Sequence, residues 1–148
     1  VQGTGATAGL APRLLGELGC KVVTVEGTDV DALARTVGEQ NLNLGLAFDA
    51  GGGLSLVASD GRLIAADRLL MLLARDLLER NPGADVLFNM TDNQALAGLI
   101  RQQGGRPVMD DRWYGFGDAL YAAARLLEVL SLQAGNSAEA FAPYTDTF

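Results

Sequence analysis

Histidine is missing from this chain altogether. That removes the Ser-His and Cys-His dyads, zinc sites built on imidazole, and the commonest general base near neutral pH. A single cysteine, Cys20, excludes an internal disulfide. Placed between a helix end and a strand, it reads as a small buried hydrophobe. Lysine is almost as scarce: Lys21 is the only one, and ten arginines supply the other cations. Eleven basic residues against eighteen acidic ones leave a net charge of −7. An acidic chain without a basic cluster argues against nucleic acid and anionic membrane as partners. Arg or Asp interrupts each long apolar stretch well before membrane-spanning length, so no transmembrane helix is expected. No signal peptide is visible, and the cytoplasm is the expected compartment. The chain opens on Val1 rather than methionine and reads as cut from a longer polypeptide.

What remains is apolar enough to fold. Hydrophobic residues make up 49% of 148, sufficient for a core in one ordinary domain or two very small ones. The chain is organised around Gly51-Gly52-Gly53. An apolar run from Leu44 to Phe48 ends in Asp49, the three glycines follow, and a second apolar run, Leu54 to Ala58, leads to the turn Ser59-Asp60-Gly61. Two such runs around a glycine loop predict a hairpin or strand-loop-strand. A carboxylate at a strand end beside free backbone N–H groups is where α/β folds place metal and phosphate chemistry. Mg²⁺ needs several oxygens near octahedral geometry, and this loop offers only Asp49.

Taken in order, Leu10 to Leu18 predicts a helix with Leu10, Leu14 and Leu18 on its buried face, Pro12 early, and Gly19 just past its end. Lys21 to Glu26 predicts a buried strand. Thr28-Asp29 caps a helix carrying the stripe Val30, Leu33, Ala34 and Val37. Leu42 to Phe48 is the next strand, giving a β-α-β-α-β order and a mostly parallel mixed sheet with helices on both faces. A short strand at Arg62–Ala65 precedes the clearest helix, Ala66 to Arg80, with Ala66, Leu69, Leu70, Leu73 and Leu77 inward and an Asp76–Arg80 pair. Asn81-Pro82-Gly83 stops it. A strand at Asp85–Met90, a capping box at Thr91–Gln94, and a helix with Leu96, Leu99 and Ile100 inward follow. A strand at Arg106–Met109 leads to a polar-aromatic loop from Asp110 to Gly117. Asp118 then caps a last long helix, Ala119–Leu130, with Leu120, Ala123, Leu127 and Leu130 inward. From Gln133 the composition reads as a tail or linker, with one short helical turn around Ala138 to Phe141. Gly61 is a plausible seam between a unit over 1–60 and a unit over 61–143, with 144–148 as tail.

Several other residues invite a functional reading. Gly3, Gly5 and Gly9 before a helix suggest a phosphate loop, but the spacing is not that of a dinucleotide fingerprint, and a tight strand-to-helix turn explains them. Asp49, Asp110 and Asp111 could gather at strand ends as a hard-cation site; solvated strand-end acids are the plainer account. Trp113, Tyr114 and Phe116 could form a stacking or partner surface, or cover the open end of a small core. Arg62, Arg68 and Arg106 could bind a phosphate, or be solvated or paired.

The string Leu44–Asp49, the glycine loop and Ala66–Ala74 together resemble the α-D-phosphohexomutases, in particular the bacterial phosphomannomutase/phosphoglucomutase branch. Asn81–Asp85, Gly104–Met109, Arg112–Leu130 and the stretch from Ala11-Pro12 to Cys20 extend the resemblance to most of the chain. It implies a match to the second and third of four domains in an isomerase that moves a phosphoryl group within a sugar phosphate, with Mg²⁺ as its metal. The first domain, with the phosphoserine nucleophile, and the fourth, with the phosphate-binding loop, have no counterpart here.

Departures fall on the active-site loops. The family's metal loop reads Asp-Gly-Asp-Gly-Asp-Arg; this chain has Asp49-Ala50-Gly51-Gly52-Gly53-Leu54. Asp49 is the remnant of the metal site, and Gly51, Gly52 and Gly53 are the residues left to contact a ligand. The family's Gly-Glu-Met-Ser-Gly-His sugar loop is absent, since Met109 runs almost directly into Arg112, and the segment between Glu26 and Asp29 is shortened. The expectation is a degenerate or truncated core, non-catalytic by itself and serving as a structural or interaction module, with no catalytic residue and no cofactor. The alternatives are part of an active mutase completed by missing domains or by a homo-oligomer, and a sugar-phosphate-binding module.

Overall fold

The computed structural model describes residues 1–88, 94–109 and 119–144. Its first sheet has four strands in the order β1 (Gln2–Gly3), β2 (Leu44–Phe48), β3 (Leu54–Ala58), β4 (Leu63–Ile64). β1 runs parallel to β2; β2–β3 and β3–β4 are antiparallel. The second sheet is a parallel pair, β5 (Asp85–Phe88) and β6 (Arg106–Met109). Six α-helices complete the described fold: α1 (Gly5–Glu17), α2 (Val30–Glu39), α3 (Ala66–Arg80), α4 (Gln94–Gln102), α5 (Ala119–Leu132) and α6 (Ser137–Phe141), the last continuing into a 3-10 turn, Ala142–Tyr144. The class is mixed α/β, as the alternation of apolar periods implies.

The alternation along the hairpin divides the core. Leu46, Phe48, Leu56 and Ala58 face the main cluster with α1 and α3, while Val57 faces a smaller one with Leu33 and Val37 of α2. Helices therefore cover both faces of the first sheet. Gly45 marks how near α2 comes: a methyl group there would press on Val37, Val57 and Leu33. The main cluster draws on both sides of Gly61, and the β3–β4 ladder crosses that residue. Gly61 is thus a turn between paired strands over a shared core.

Several expectations are corrected. Lys21–Glu26 is not a ladder strand: Val25 makes one isolated parallel bridge to Gln2. With β1 only two residues long there is no template for more, although the Val25 N–H reaches the Val1 carbonyl at 2.8 Å. α1 begins five residues before Leu10, and its buried face is Ala11 and Leu15, while Leu10, Leu14 and Leu18 stay 58%, 39% and 62% exposed. Small Ala11 lets the helix lie close to the sheet. Its end is as expected, with the Cys20 N–H returning to the Leu15 carbonyl around Gly19.

α3 has the predicted bounds but a different phase. Leu69, Met71, Leu72, Ala74 and Leu78 are buried; Leu70 and Leu73 are half-buried, and Ala66 and Leu77 are exposed. Asp76 and Arg80 pair as predicted, and the pair is part of a ring: Arg80 also reaches Glu128 at 3.8 Å, Arg125 reaches Asp76 at 3.5 Å, and Arg125 pairs with Glu128. This ring ties α3 to α5. α5 buries Ala123, Leu126 and Val129, while Leu120, Leu127 and Leu130 are half-buried.

The stretch after Gln133 is not a tail up to Tyr144. Asn136 and Glu139 form a capping box, and Ser137, Phe141 and Tyr144 are buried. The Ser59 N–H donates to Ser137 Oγ at 2.8 Å, Ser137 Oγ donates to the Asn43 carbonyl, and the Ala138 N–H reaches Ser59 Oγ at 3.4 Å. The predicted capping box at Thr91–Gln94, the Asp110–Gly117 loop, the Asp118 cap and the end of the chain from 145 lie outside the described residues.

Candidate functional site

Asp49 stands where β2 ends, and the local sequence dictates what it does there. Three glycines let the chain reverse within four residues, with Gly52 at φ +85°. The Asp49 N–H donates to the Gly53 carbonyl (3.1 Å), the Gly52 N–H to the Asp49 carbonyl (3.2 Å), and the Gly53 N–H to Asp49 Oδ1 (2.8 Å). Asp49 is exposed, and its carboxylate closes its own loop. A side chain at Gly53 would collide with that carboxylate. Of the loop's N–H groups, those of Gly52 and Gly53 are thus turned on Asp49, leaving those of Ala50 and Gly51 without a protein acceptor among the described residues.

The N-terminus of α1 lies alongside. Gly3, at φ +144°, sits so close to Phe48 that a Cβ would strike the Phe48 carbonyl oxygen. The Thr4 N–H donates to that same oxygen at 3.2 Å, and the Gly5 backbone borders Ala50. The glycines at 3 and 5 are therefore required by the tight strand-to-helix turn. Thr4, the cap residue, makes no side-chain capping bond. This neighbourhood of α1 and the Asp49 loop was not foreseen from sequence, because β1 is too short to register as a strand.

The donor set does not fit Mg²⁺. It provides one carboxylate, one oxygen of which already accepts a backbone N–H, where Mg²⁺ demands near-octahedral oxygen ligands. Among the described residues no group of three or more His, Cys, Asp or Glu side chains is placed to hold a metal. Asp110 and Asp111, and the aromatic trio Trp113, Tyr114 and Phe116, lie outside the described residues.

The three candidate arginines are each engaged by a separate acid. Arg62 Nε bonds Asp60 at 2.6 Å. Partial burial pushes the Asp60 carboxyl up, but the Arg62 backbone N–H and guanidinium outweigh that and hold it below the usual range. Arg106 forks onto Asp85, with Nε at 2.7 Å from Oδ1, and that bond lowers the Asp85 carboxyl and raises the guanidinium. Arg68, with a mostly buried side chain, has Nε 3.9 Å from Asp67. They do not converge as a phosphate cradle. Cys20 is a half-buried free thiol packed against the main core. A shallow cleft of about 400 Å³ between α3, α4 and the 3-10 turn is lined by Met71, Arg75, Leu99, Gln102 and Tyr144 among others, and none of the sequence-predicted site residues borders it. No helix of the described residues is long and apolar enough to cross a membrane.

Comparison with known proteins gives the kinship. No protein-family model matches the chain. It is 35% identical to a phosphomannomutase/phosphoglucomutase of Pseudomonas syringae pv. tomato, over 94% of this chain and 40% of that protein. A Pseudomonas aeruginosa protein of the same name is 34% identical over 96% of this chain and 41% of its own length. Among solved structures, a phosphoglucomutase/phosphomannomutase family protein from Burkholderia thailandensis superposes with a TM-score of 0.74 at 31% identity, covering 94% of this chain and 41% of that one. A structure titled putative phosphomannomutase from Thermus thermophilus shares the fold, with a TM-score of 0.75 at 14% identity. The match to the P. syringae protein extends over 185 positions, whereas 94% of 148 residues is about 139, so about 46 positions have no counterpart here. Over nearly its whole length this chain is a homologue of the phosphomannomutase/phosphoglucomutase proteins, and it spans about two fifths of theirs.

Proposed function

We propose that this chain is a phosphohexomutase scaffold without working catalytic loops, non-catalytic by itself and retained, in the cytoplasm, for a structural or interaction role. On this reading 1–60 and 61–143 correspond to the second and third domains of the family. The observation that carries it is the use of Asp49: the carboxylate expected to hold a metal instead accepts the Gly53 N–H of its own loop. Phosphoryl transfer depends on positioning and on neutralising charge, and the described site supplies no second carboxylate and no free cation cradle for either. The roughly 46 unmatched positions mean that segments of the relatives are missing here, while the elements this chain does have superpose on theirs. The test is a mutase assay on the purified chain with glucose and mannose phosphates, with and without Mg²⁺. No turnover is expected, and turnover abolished by Asp49→Ala would overturn the proposal.

A second reading is favoured by the coverage of two fifths. The chain would then be one part of a longer polypeptide whose other domains, or another subunit, complete an Mg²⁺-dependent exchange between sugar 1-phosphate and 6-phosphate. A serine-nucleophile loop encoded upstream in the same reading frame would favour it. A module that binds sugar phosphates through Gly51–Gly53 without turnover would instead show a thermal shift with the ligand alone.

A further inference from the structure

The two sheets differ in how their parallel strands are flanked. In the first, β1 has β2 along one edge and the Val25 bridge on the other. In the second, β6 takes one edge of β5, and among the described residues nothing takes the other. The register fixes which backbone groups are left there. The strands pair Asp85 with Arg106 through Phe88 with Met109, and the Arg106 N–H donates to the Ala84 carbonyl at 3.0 Å. In a parallel ladder this turns the backbone groups of Val86 toward β6, and those of Asp85 and Leu87 to the opposite side. The outer edge of β6 is unlike it: of the two residues facing outward, Pro107 and Met109, proline has no N–H to give. Proline is a usual way to blunt a sheet edge. Among the described residues, then, the edge of β6 is blunted and that of β5 is open.

We propose that the open edge of β5 pairs with the same edge of a second copy of this chain, antiparallel about a two-fold axis. The edge presents two N–H and two C=O groups and is self-complementary. With Asp85 opposite the partner's Leu87, each pair exchanges both of its hydrogen bonds, and the symmetry-related pair does the same. Four bonds form, no edge group is left over, and Val86 meets its own counterpart at the axis. The two-fold does not bring bare carboxylates together, because Arg106 already holds each Asp85 through two hydrogen bonds. The strand is four residues long, so the contact is small and belongs with weak, concentration-dependent associations.

Sedimentation velocity on the intact chain over a wide concentration range, with amide exchange by NMR at both ends of that range, tests this. A dimer fraction that rises with concentration is expected, together with slowed exchange at the Asp85 and Leu87 N–H groups. Leu87→Pro removes an outward donor while keeping the ladder to β6, and should leave a folded monomer. A chain that stays monomeric throughout, or a dimer in which the Asp85 and Leu87 amides exchange unchanged, overturns the proposal. If Leu87→Pro does not fold, the exchange measurement on the unaltered chain still decides.

Discussion

The hairpin β2–β3 has two ends, and they are held in opposite ways. At the Asp49 end every hydrogen bond of the loop is local, made within five residues and open to water. At the Ser59 end the bonds come from residues 78 and 94 positions away: Ser137 receives from Ser59, gives to Asn43, and sits 2% exposed. At one end, then, the loop's own bonds stay within the loop, with β1 and the Thr4–Phe48 bond alongside; at the other, distant residues complete the core. The Asp49 end is where the resemblance to the family places the metal. The contrast shows that the bonds closing the Asp49 loop reach no further than the loop, whereas those of Ser137 join the hairpin to residues far along the chain.

That comparison can be broken by mutation, and Phe141→Ala should have the largest effect. The ring is 1% exposed in the main core, and such truncations cost about 3–5 kcal/mol against a total of roughly 5–15. Loss of soluble expression or a large fall in Tm is expected; a melting curve like that of the parent would show that α6 is not part of the core. Paired leucines in α3 come next. Leu72→Ala, at a site 1% exposed, should cost about 2–5 kcal/mol. Its half-buried neighbour in Leu73→Ala should cost clearly less, and urea melts that rank them the other way would contradict the phase of the helix.

Ser137→Ala sharpens the contrast at the clamped end. It leaves the Ser59 N–H and the Asn43 carbonyl without their partner, at about 1–3 kcal/mol. A silent substitution, read by thermal denaturation, would mean that water replaces the hydroxyl. At the other end Gly52→Ala meets no atom within 4 Å but forces a left-handed φ, which costs about 1–2 kcal/mol. Asp49→Asn should change stability little and abolish no Mg²⁺ effect, because none is expected; a Mg²⁺-dependent rise in Tm that vanishes in this variant would show a completed site. The smallest effect is acid sensitivity. Asp60 and Asp85 have folded-state pKa values below the unfolded ones, so their contribution is present above the ordinary carboxylate range near pH 4 and is lost as pH falls further. Both are surface pairs, so Arg106→Gln should only slightly flatten an acid titration followed by circular dichroism.

Much of the frame was legible in the sequence. Two apolar runs around the glycine loop located β2 and β3, capping residues located α2, and the family strings located the kinship. The phases of α1 and α3 were not legible, for a physical reason. From Leu69 to Ala74 every residue is apolar, so the periodicity announces a helix without saying which side is covered. In α1 the three leucines advertise a buried face, but the structure buries Ala11 and Leu15, and Leu15 could equally have been read into either phase. The clamp at Ser137 was illegible because serine and alanine read as linker, and only a contact from far along the chain turns that composition into core. At the candidate site, sequence showed one carboxylate beside a glycine loop, but not that Asp49 accepts the Gly53 N–H.

The reach of the Ser137 contacts also sets an order of events. Residues 43 and 59 exist long before residue 137 during synthesis, so the hairpin must wait with one end unsatisfied and with the surface destined for Phe141 and Tyr144 bare. Contacts across such separations are slow to form because loop closure must be met first. Newly made chain therefore passes through a stage in which a complete sheet lacks the part of its cover that Phe141 and Tyr144 supply, and that interval, rather than the finished fold, is when chaperone capture or aggregation would compete with folding.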